Sequence, residues 1–165
     1  MTLAAPVDVS LLICRRATLN DLPRLLQLLA DDVLGKNREG VGSSDPVYAV
    51  AFDTIAGDGN QQLLVAETGG IVVAMLHLTF IPGLSRRGAW RANIESVRVD
   101  SALRSRGIGS WLIEQAVTLA QERGCRLAQL TSDKQRTQAH AFYGRLGFTA
   151  SHEGFKRVID TNSNI

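Results

Sequence analysis

The stretch Ile94-Glu95-Ser96-Val97-Arg98-Val99-Asp100-Ser101-Ala102-Leu103-Arg104-Ser105-Arg106-Gly107-Ile108-Gly109-Ser110-Trp111-Leu112 decides how the rest of the chain is read. Apolar Ile94, Val97 and Val99 alternate with polar residues, which marks a strand. A polar turn follows, then Arg104-Ser105-Arg106-Gly107-Ile108-Gly109, and then a helical pattern. A strand that empties into a glycine loop at a helix start leaves unpaired backbone N–H groups aimed at one point, with the helix dipole behind them. With Arg104 and Arg106 on the loop, that point suits a phosphate or pyrophosphate.

The 165 residues are 45% hydrophobic and 21% charged, which describes one soluble domain with a core of its own. A net charge of +2 and dispersed arginines speak against a nucleic-acid surface. Cys14 and Cys125 are far apart and lie in no Cys/His cluster, so neither a disulfide framework nor a metal site is expected, and a reducing cytoplasm fits. No apolar run reaches the ~18–20 residues that span a bilayer. The first residues, MTLAAPVDVSLLI, lack a signal-peptide pattern.

Residues 1–10 read as a leader, 11–160 as the domain and 161–165 as a tail. A first strand is expected over Ser10 to Ala17. Asn20 offers an N-cap, and Pro23 suits the first turn of a helix carrying Leu22, Leu25, Leu26, Leu28 and Leu29. The Gly35–Pro46 stretch reads as a connection before a helix over Val47 to Ala56. Gln61–Thr68 and Ile71–Ile81 are β-rich runs joined by Gly69-Gly70, a pair suited to the positive φ angles of a tight hairpin. With a strand over Arg91 to Asp100 they form an antiparallel meander. A helix is predicted over Ile108 to Glu122, closed by Gly124, with Ile108, Trp111, Leu112, Ala116 and Leu119 on one side. A strand over Arg126 to Thr131, a helix over Thr137 to Leu146 and a hairpin of Phe148–Ser151 with Phe155–Ile159 complete the chain. The fold class is α/β: a mixed, mostly antiparallel sheet with helices on both faces.

Three glycine-loop motifs compete for the central stretch. A P-loop needs Lys followed by Ser or Thr after its last glycine; Gly109 is followed by Ser110-Trp111. A dinucleotide fingerprint needs a third glycine where Leu112 stands. The third pattern, Arg/Gln-x-x-Gly-x-Gly/Ala after a valine-bearing strand, fits Arg104 to Gly109 position by position. Ala139-His140-Ala141-Phe142-Tyr143-Gly144-Arg145-Leu146-Gly147-Phe148 supplies a second motif of the form A-x-x-F-Y-x-x-L-G-F. On these two motifs the chain resembles the GNAT superfamily of acyl-CoA-dependent N-acyltransferases, along nearly the whole domain.

The resemblance implies acetyl-CoA as acyl donor and an amine acceptor, a small molecule or a peptide, with direct attack in a ternary complex. The dispersed charge and the lack of a long apolar run lead to no expected nucleic-acid or membrane partner; homodimers are common in the family. The cofactor-binding residues would be Val97, Arg98 and Val99 of the strand, Arg104, Ser105, Arg106, Gly107, Ile108, Gly109 and Ser110 of the loop, and Arg136. Many members carry Asn where this chain has Arg136. The strand would splay from its parallel neighbour so that the pantetheine arm lies along it, one amide polarising the thioester carbonyl.

Tyr143 matches the family's proton donor to the departing thiolate. Glu95, which by simple alternation shares a side with Val97 and Val99, matches the position of a base found in some members. An alkylammonium has a pKa near 10, so only about one molecule in a thousand is neutral at pH 7 and a base has work to do. A glutamate merely paired with Arg91 or Arg126 is the competing reading, and His140, one turn before Tyr143, is a weaker relay candidate. Two other functions stay open: a non-catalytic acyl-CoA sensor on the same fold, and a nucleic-acid binder using Arg86, Arg87, Arg91, Arg98, Arg104 and Arg106. The acceptor is not legible; Asp31, Asp32, Glu39, Asp45 and Asp53 are scattered carboxylates in the segments expected to meet it.

Overall fold

The glycine hairpin organises the sheet. In a computed structural model, which describes residues 7–31 and 45–159, β2 (Gln61–Thr68) and β3 (Ile71–Ile81) pair antiparallel. Gly69 and Gly70 have φ of 56° and 79°, the left-handed pair that a two-residue hairpin requires. β1 (Ile13–Arg16) joins β2 antiparallel, β4 (Trp90–Val99) joins β3 antiparallel, and β5 (Cys125–Leu130) joins β4 parallel. The sheet order is β1-β2-β3-β4-β5. Between β3 and β4 a one-turn helix, α3 (Ser85–Gly88), holds Arg86 and Arg87 at left-handed φ.

Helices cover both faces. α4 (Ile108–Glu122) lays Ile108, Leu112, Ile113, Ala116 and Ala120 onto Leu64, Leu76, Leu78, Ala92 and Ile94. α1 (Leu22–Ala30) and α2 (Pro46–Gly57) cover the opposite face, where Leu25, Leu28 and Phe52 meet Val65, Val72 and Met75. α1 starts one residue later than Asn20 suggests, with Asp21 at its N-cap. Thr18 and Asp21 form a capping box around a 3-10 turn over Leu19–Asp21, and Pro23 sits in the first turn of α1. Asp21 also takes two bonds from Arg15, at 2.7 and 3.0 Å, pinning α1 to β1. α2 is capped by Asp45, whose Oδ1 accepts from the Val47 N–H at 3.0 Å.

The first strand is shorter than expected because Val9–Leu11 closes into a 3-10 turn capped by Asp8. The end of the expected leader thus makes contacts: Val7 packs on the core. Asp32, Glu39, most of the Gly35–Pro46 connection, residues 1–6 and the tail lie outside the described residues.

The terminal hairpin does not form. Phe148 packs on the core, but no strand lies over 148–159, and Phe155 and Ile159 are 92% and 94% exposed. Lys134–Glu153 at 3.8 Å and the approach of Gly154 to Thr131 keep the segment beside the end of β5. The Glu153-Gly154 turn between two short segments predicted a hairpin there, yet a turn signal cannot supply a partner edge.

Candidate active site

Two irregularities in β4 build the site. Pairing with β5 runs only from Trp90 to Ile94, where Ile94 faces Leu130. Beyond Ile94 the strands part, and Glu95 to Val99 keeps β3 as its strand partner. The pairing stops at the end of β5, which is where the splay that the family resemblance implies would begin.

The second irregularity is a β-bulge. His77 pairs with Glu95 and Met75 with Arg98, so β4 spends one residue more than β3 over this interval. Ser96 takes the turn, at φ 52°. Ala92 and Ile94 face the α4 side before the bulge, and Val97 and Val99 face it afterwards. Simple alternation put Glu95 on the same side as the valines. The extra residue corrects that: Glu95 lies on the opposite face, exposed, with His77 across from it.

After β4 the chain makes a 3-10 turn over Ser101–Leu103 and enters the glycine loop. Ser105 has φ 63° and Gly107, the N-cap of α4, has φ 82° without a side-chain cap. The first-turn amides of α4 are thereby left for a ligand. A Cβ on Gly109 would stand in ordinary contact, 3.4 Å from Val99 Cγ2 and 3.5 Å from Phe142 Cζ, which places this position where β4, α4 and α5 (Thr137–Arg145) meet. Ile108 is buried in the core; only its backbone is available to a ligand.

Between the end of β4 and the start of α5 lies a cleft of about 510 Å³, lined by Val97, Arg98, Val99, Arg104 and residues 135–139. It brings together five of the expected cofactor residues: Val97, Arg98, Val99, Arg104 and Arg136. Gln135, Thr137, Gln138 and Ala139 also line it, and sequence reasoning missed them, since polar side chains at a helix start carry no chemical signature. Two backbone acceptors of this reach are engaged: Arg98 Nη1 donates to the Val97 carbonyl at 2.9 Å and Arg104 Nε to that of Val99 at 3.2 Å. Arg104 also reaches the Asp31 carbonyl at 2.9 Å, so it ties the loop to the end of α1 as well as facing the cleft. Arg-rich walls, open amides and a strand edge suit a ligand with phosphates and an extended polar arm.

Tyr143 sits on the α4 side of the sheet, half-buried, its ring held edge-on by Phe142 at 5.1 Å and Phe148 at 6.1 Å. Burial pushes its hydroxyl above the usual pKa of 10, and the charges of Arg136 and Arg98 pull it part of the way back. His140 Nε2 is 2.8 Å from the Asp133 carbonyl, a tie that closes the β5–α5 link. On the other face the neighbours of Glu95 are polar: Gln129 donates to Asn93 at 3.4 Å and His77 meets Gln61 at 2.8 Å. Among the described residues no helix is long and apolar enough to cross a membrane, and no group of three His, Cys, Asp or Glu gathers as a metal site.

The sequence matches the acetyltransferase (GNAT) family model over residues 24–148. It is 32% identical over 104 residues to the aminoalkylphosphonate N-acetyltransferase of Salmonella typhimurium, covering 62% of this chain and 66% of that enzyme. The aligned stretch thus spans just under two thirds of the Salmonella protein. A Bacillus halodurans C-125 structure named as a transcriptional regulator superposes with a TM-score of 0.86 at 50% identity, covering 90% of this chain and 99% of that one. A proposed acetyltransferase from Agrobacterium tumefaciens C58 gives 0.80 at 29%, covering 88% and 99%. The family match takes in four of the five strands and both arms of the site, and on that footing the chain belongs to the acetyltransferase (GNAT) family.

Proposed function

We propose that this protein transfers an acetyl group from acetyl-CoA to a primary amine, most simply on a small molecule, by direct attack with both substrates bound. The observation that carries the reading is the parting of β4 from β5 at Ile94, next to an arginine-walled cleft, with Tyr143 on one face of the sheet and Glu95 on the other.

Acetyl-CoA supplies an activated thioester. Arg98, Arg104 and Arg136, with the loop amides from Ser105 to Ser110, hold its phosphates, and the open edge of β4 at Val97 to Val99 receives its arm as an added strand. Glu95 takes the proton that the acceptor ammonium must lose, directly or through water. Tyr143 donates a hydrogen bond to the sulfur as the bond to it breaks. Cys14 and Cys125 are both free thiols, which agrees with a cytoplasmic setting. Neither belongs to a nucleophile–base motif, so we assign no acyl-enzyme.

The test is a screen of acetyl-CoA-dependent thiol release over small amines, amino acids, aminoglycosides, peptides and aminoalkylphosphonates. The last class is included because the Salmonella relative carries that name. Turnover on one class establishes the reading. A second reading, an acyl-CoA-binding regulator, is favoured by the name of the Bacillus neighbour. It predicts acetyl-CoA binding with silence across the whole panel.

A further inference from the structure

The face that carries Glu95 holds another titratable group with its own chain of partners. His77 of β3 pairs directly with Glu95 of β4, which sets their Cβ atoms about 4.5–5.5 Å apart on one face. Its neighbours Leu76 and Leu78 both enter the core under α4, fixing the ring on the side of Glu95. The imidazole is half-buried, with Nε2 2.8 Å from Oε1 of Gln61. The donor in that contact follows from the next link. Gln61 gives its amide N–H to Oδ2 of Asp58 at 3.0 Å, and an ionised carboxylate only accepts. Asp58 is kept ionised by the N–H of Asn60 and the amide of Gln61. Gln61 therefore turns its oxygen to His77, Nε2 carries the ring proton, and in the neutral ring Nδ1 carries the lone pair.

We propose that His77 is the second half of the proton acceptor for the amine, working with Glu95 across the β3–β4 pair. This rests on the acetyltransferase reading above. One N–H bond of the acceptor ammonium breaks and its electron pair stays on nitrogen, which becomes the nucleophile. The proton passes by Glu95 or one water to Nδ1 of His77, where a new N–H bond forms, and it returns to solvent after the product leaves. The imidazolium is met by the Glu95 carboxylate and by the Gln61 carbonyl. A carboxylate is a poor base for an amine, and an imidazole is intrinsically the more basic group. Burial keeps the ring on the neutral side, and the Glu95 charge opposes that. The groups around it are Glu95 from β4, Asp58 through Gln61, and Leu63 from β2, while α1 and α2 bring apolar Leu25, Leu28 and Phe52 to this face.

The test joins an NMR titration of the His77 ring to steady-state kinetics. Glu95→Gln should lower the ring's titration midpoint, because it removes the charge that favours the imidazolium. His77→Gln keeps an N–H for Gln61 without the base. It should reduce kcat at least tenfold at pH 7, leave KM for acetyl-CoA unchanged, and recover as pH approaches the amine's own pKa. A midpoint unmoved by Glu95→Gln, or wild-type kcat and pH profile in His77→Gln, overturns the proposal. Active protein with a silent His77→Gln sinks this proposal alone; wild-type protein inactive on every amine sinks the acetyltransferase reading with it.

Discussion

Replacing Tyr143 with Phe removes one oxygen and leaves the packing that holds the ring, with Phe142 and Phe148 edge-on at 5.1 and 6.1 Å. The size of the effect follows from the acid–base gap. A departing thiolate has a reference pKa near 8.5 and a tyrosine near 10, so full proton transfer is uphill by about 2 kcal/mol. Burial pushes the Tyr143 hydroxyl higher still. On the proposed mechanism its contribution is a hydrogen bond to developing negative charge, worth about 1.5–3 kcal/mol. That converts to a fall in kcat of about 10- to 150-fold. Because burial raises the hydroxyl above its usual value, it stays protonated through the assay range, and the ratio of wild-type to variant rates should be flat from about pH 6 to 9. The assay is thiol release at saturating acetyl-CoA, with a single-turnover run to establish that chemistry limits the rate. Affinity for acetyl-CoA should change less than about twofold, since the interaction belongs to the transition state. A variant within twofold of wild type under chemistry-limited conditions refutes the role of Tyr143. So does a basic limb near pH 8 in the wild-type protein that Tyr143→Phe abolishes.

Other substitutions probe the scaffold beneath the site. Gly107 has φ 82° and a Cβ there would meet, among the described residues, Val9 alone, at 3.6 Å, so Gly107→Ala should lose about 1–2 kcal/mol from backbone strain in urea unfolding. Gly109→Ala makes ordinary contacts inside a helix and should change stability by less than about 1 kcal/mol, while weakening acetyl-CoA binding in a direct titration. Leu112 is fully buried under the sheet, and Leu112→Ala should lose about 2–5 kcal/mol by the same unfolding measurement. The Arg15 guanidinium holds the Asp21 carboxyl down at about 2 from its usual 3.8, with burial opposing and Thr18 assisting. A depressed folded pKa stabilises fully above pH 3.8 and is lost as pH falls through 2. Asp21→Asn should therefore flatten the acid limb of a stability–pH curve between about pH 4 and 2, by about 1 kcal/mol after solvent screening.

Elements fixed by local chemistry were legible. The Gly69-Gly70 hairpin and the Ile108–Glu122 helix fall where the sequence places them, because paired glycines and a stop glycine act over a few residues. What depends on distant partners was not. Arg104 reads as a phosphate ligand, and only the fold brings Asp31 and the Val99 carbonyl to it. Gln135 to Ala139 line the cleft because the β5–α5 link is short, and nothing in their residue types says so. Glu153-Gly154 between Phe148–Ser151 and Phe155–Ile159 reads as a hairpin turn, but pairing needs an edge, which a turn signal does not encode.

The bulge at Ser96 matters most, because it changes which way the chemistry faces. A regular β4 would keep Glu95, Val97 and Val99 on one face, the carboxylate together with the valines. One inserted residue with left-handed φ sends Glu95 to the other face and leaves the valines in the core. No glycine announces it; Ser96 looks like any polar strand residue. Yet acyl transfer between two bound substrates asks for this division, since the amine must approach one side of a planar carbonyl while the thiolate is met from elsewhere. With β5 gone beyond Ile94, the gap beside β4 opens to both faces. On the acetyl transfer proposed above, the acceptor comes from the face of Glu95, His77, Asn93 and Gln129, and substitutions among the polar residues of that face, more than in the arginine-lined cleft, should change which amine is accepted.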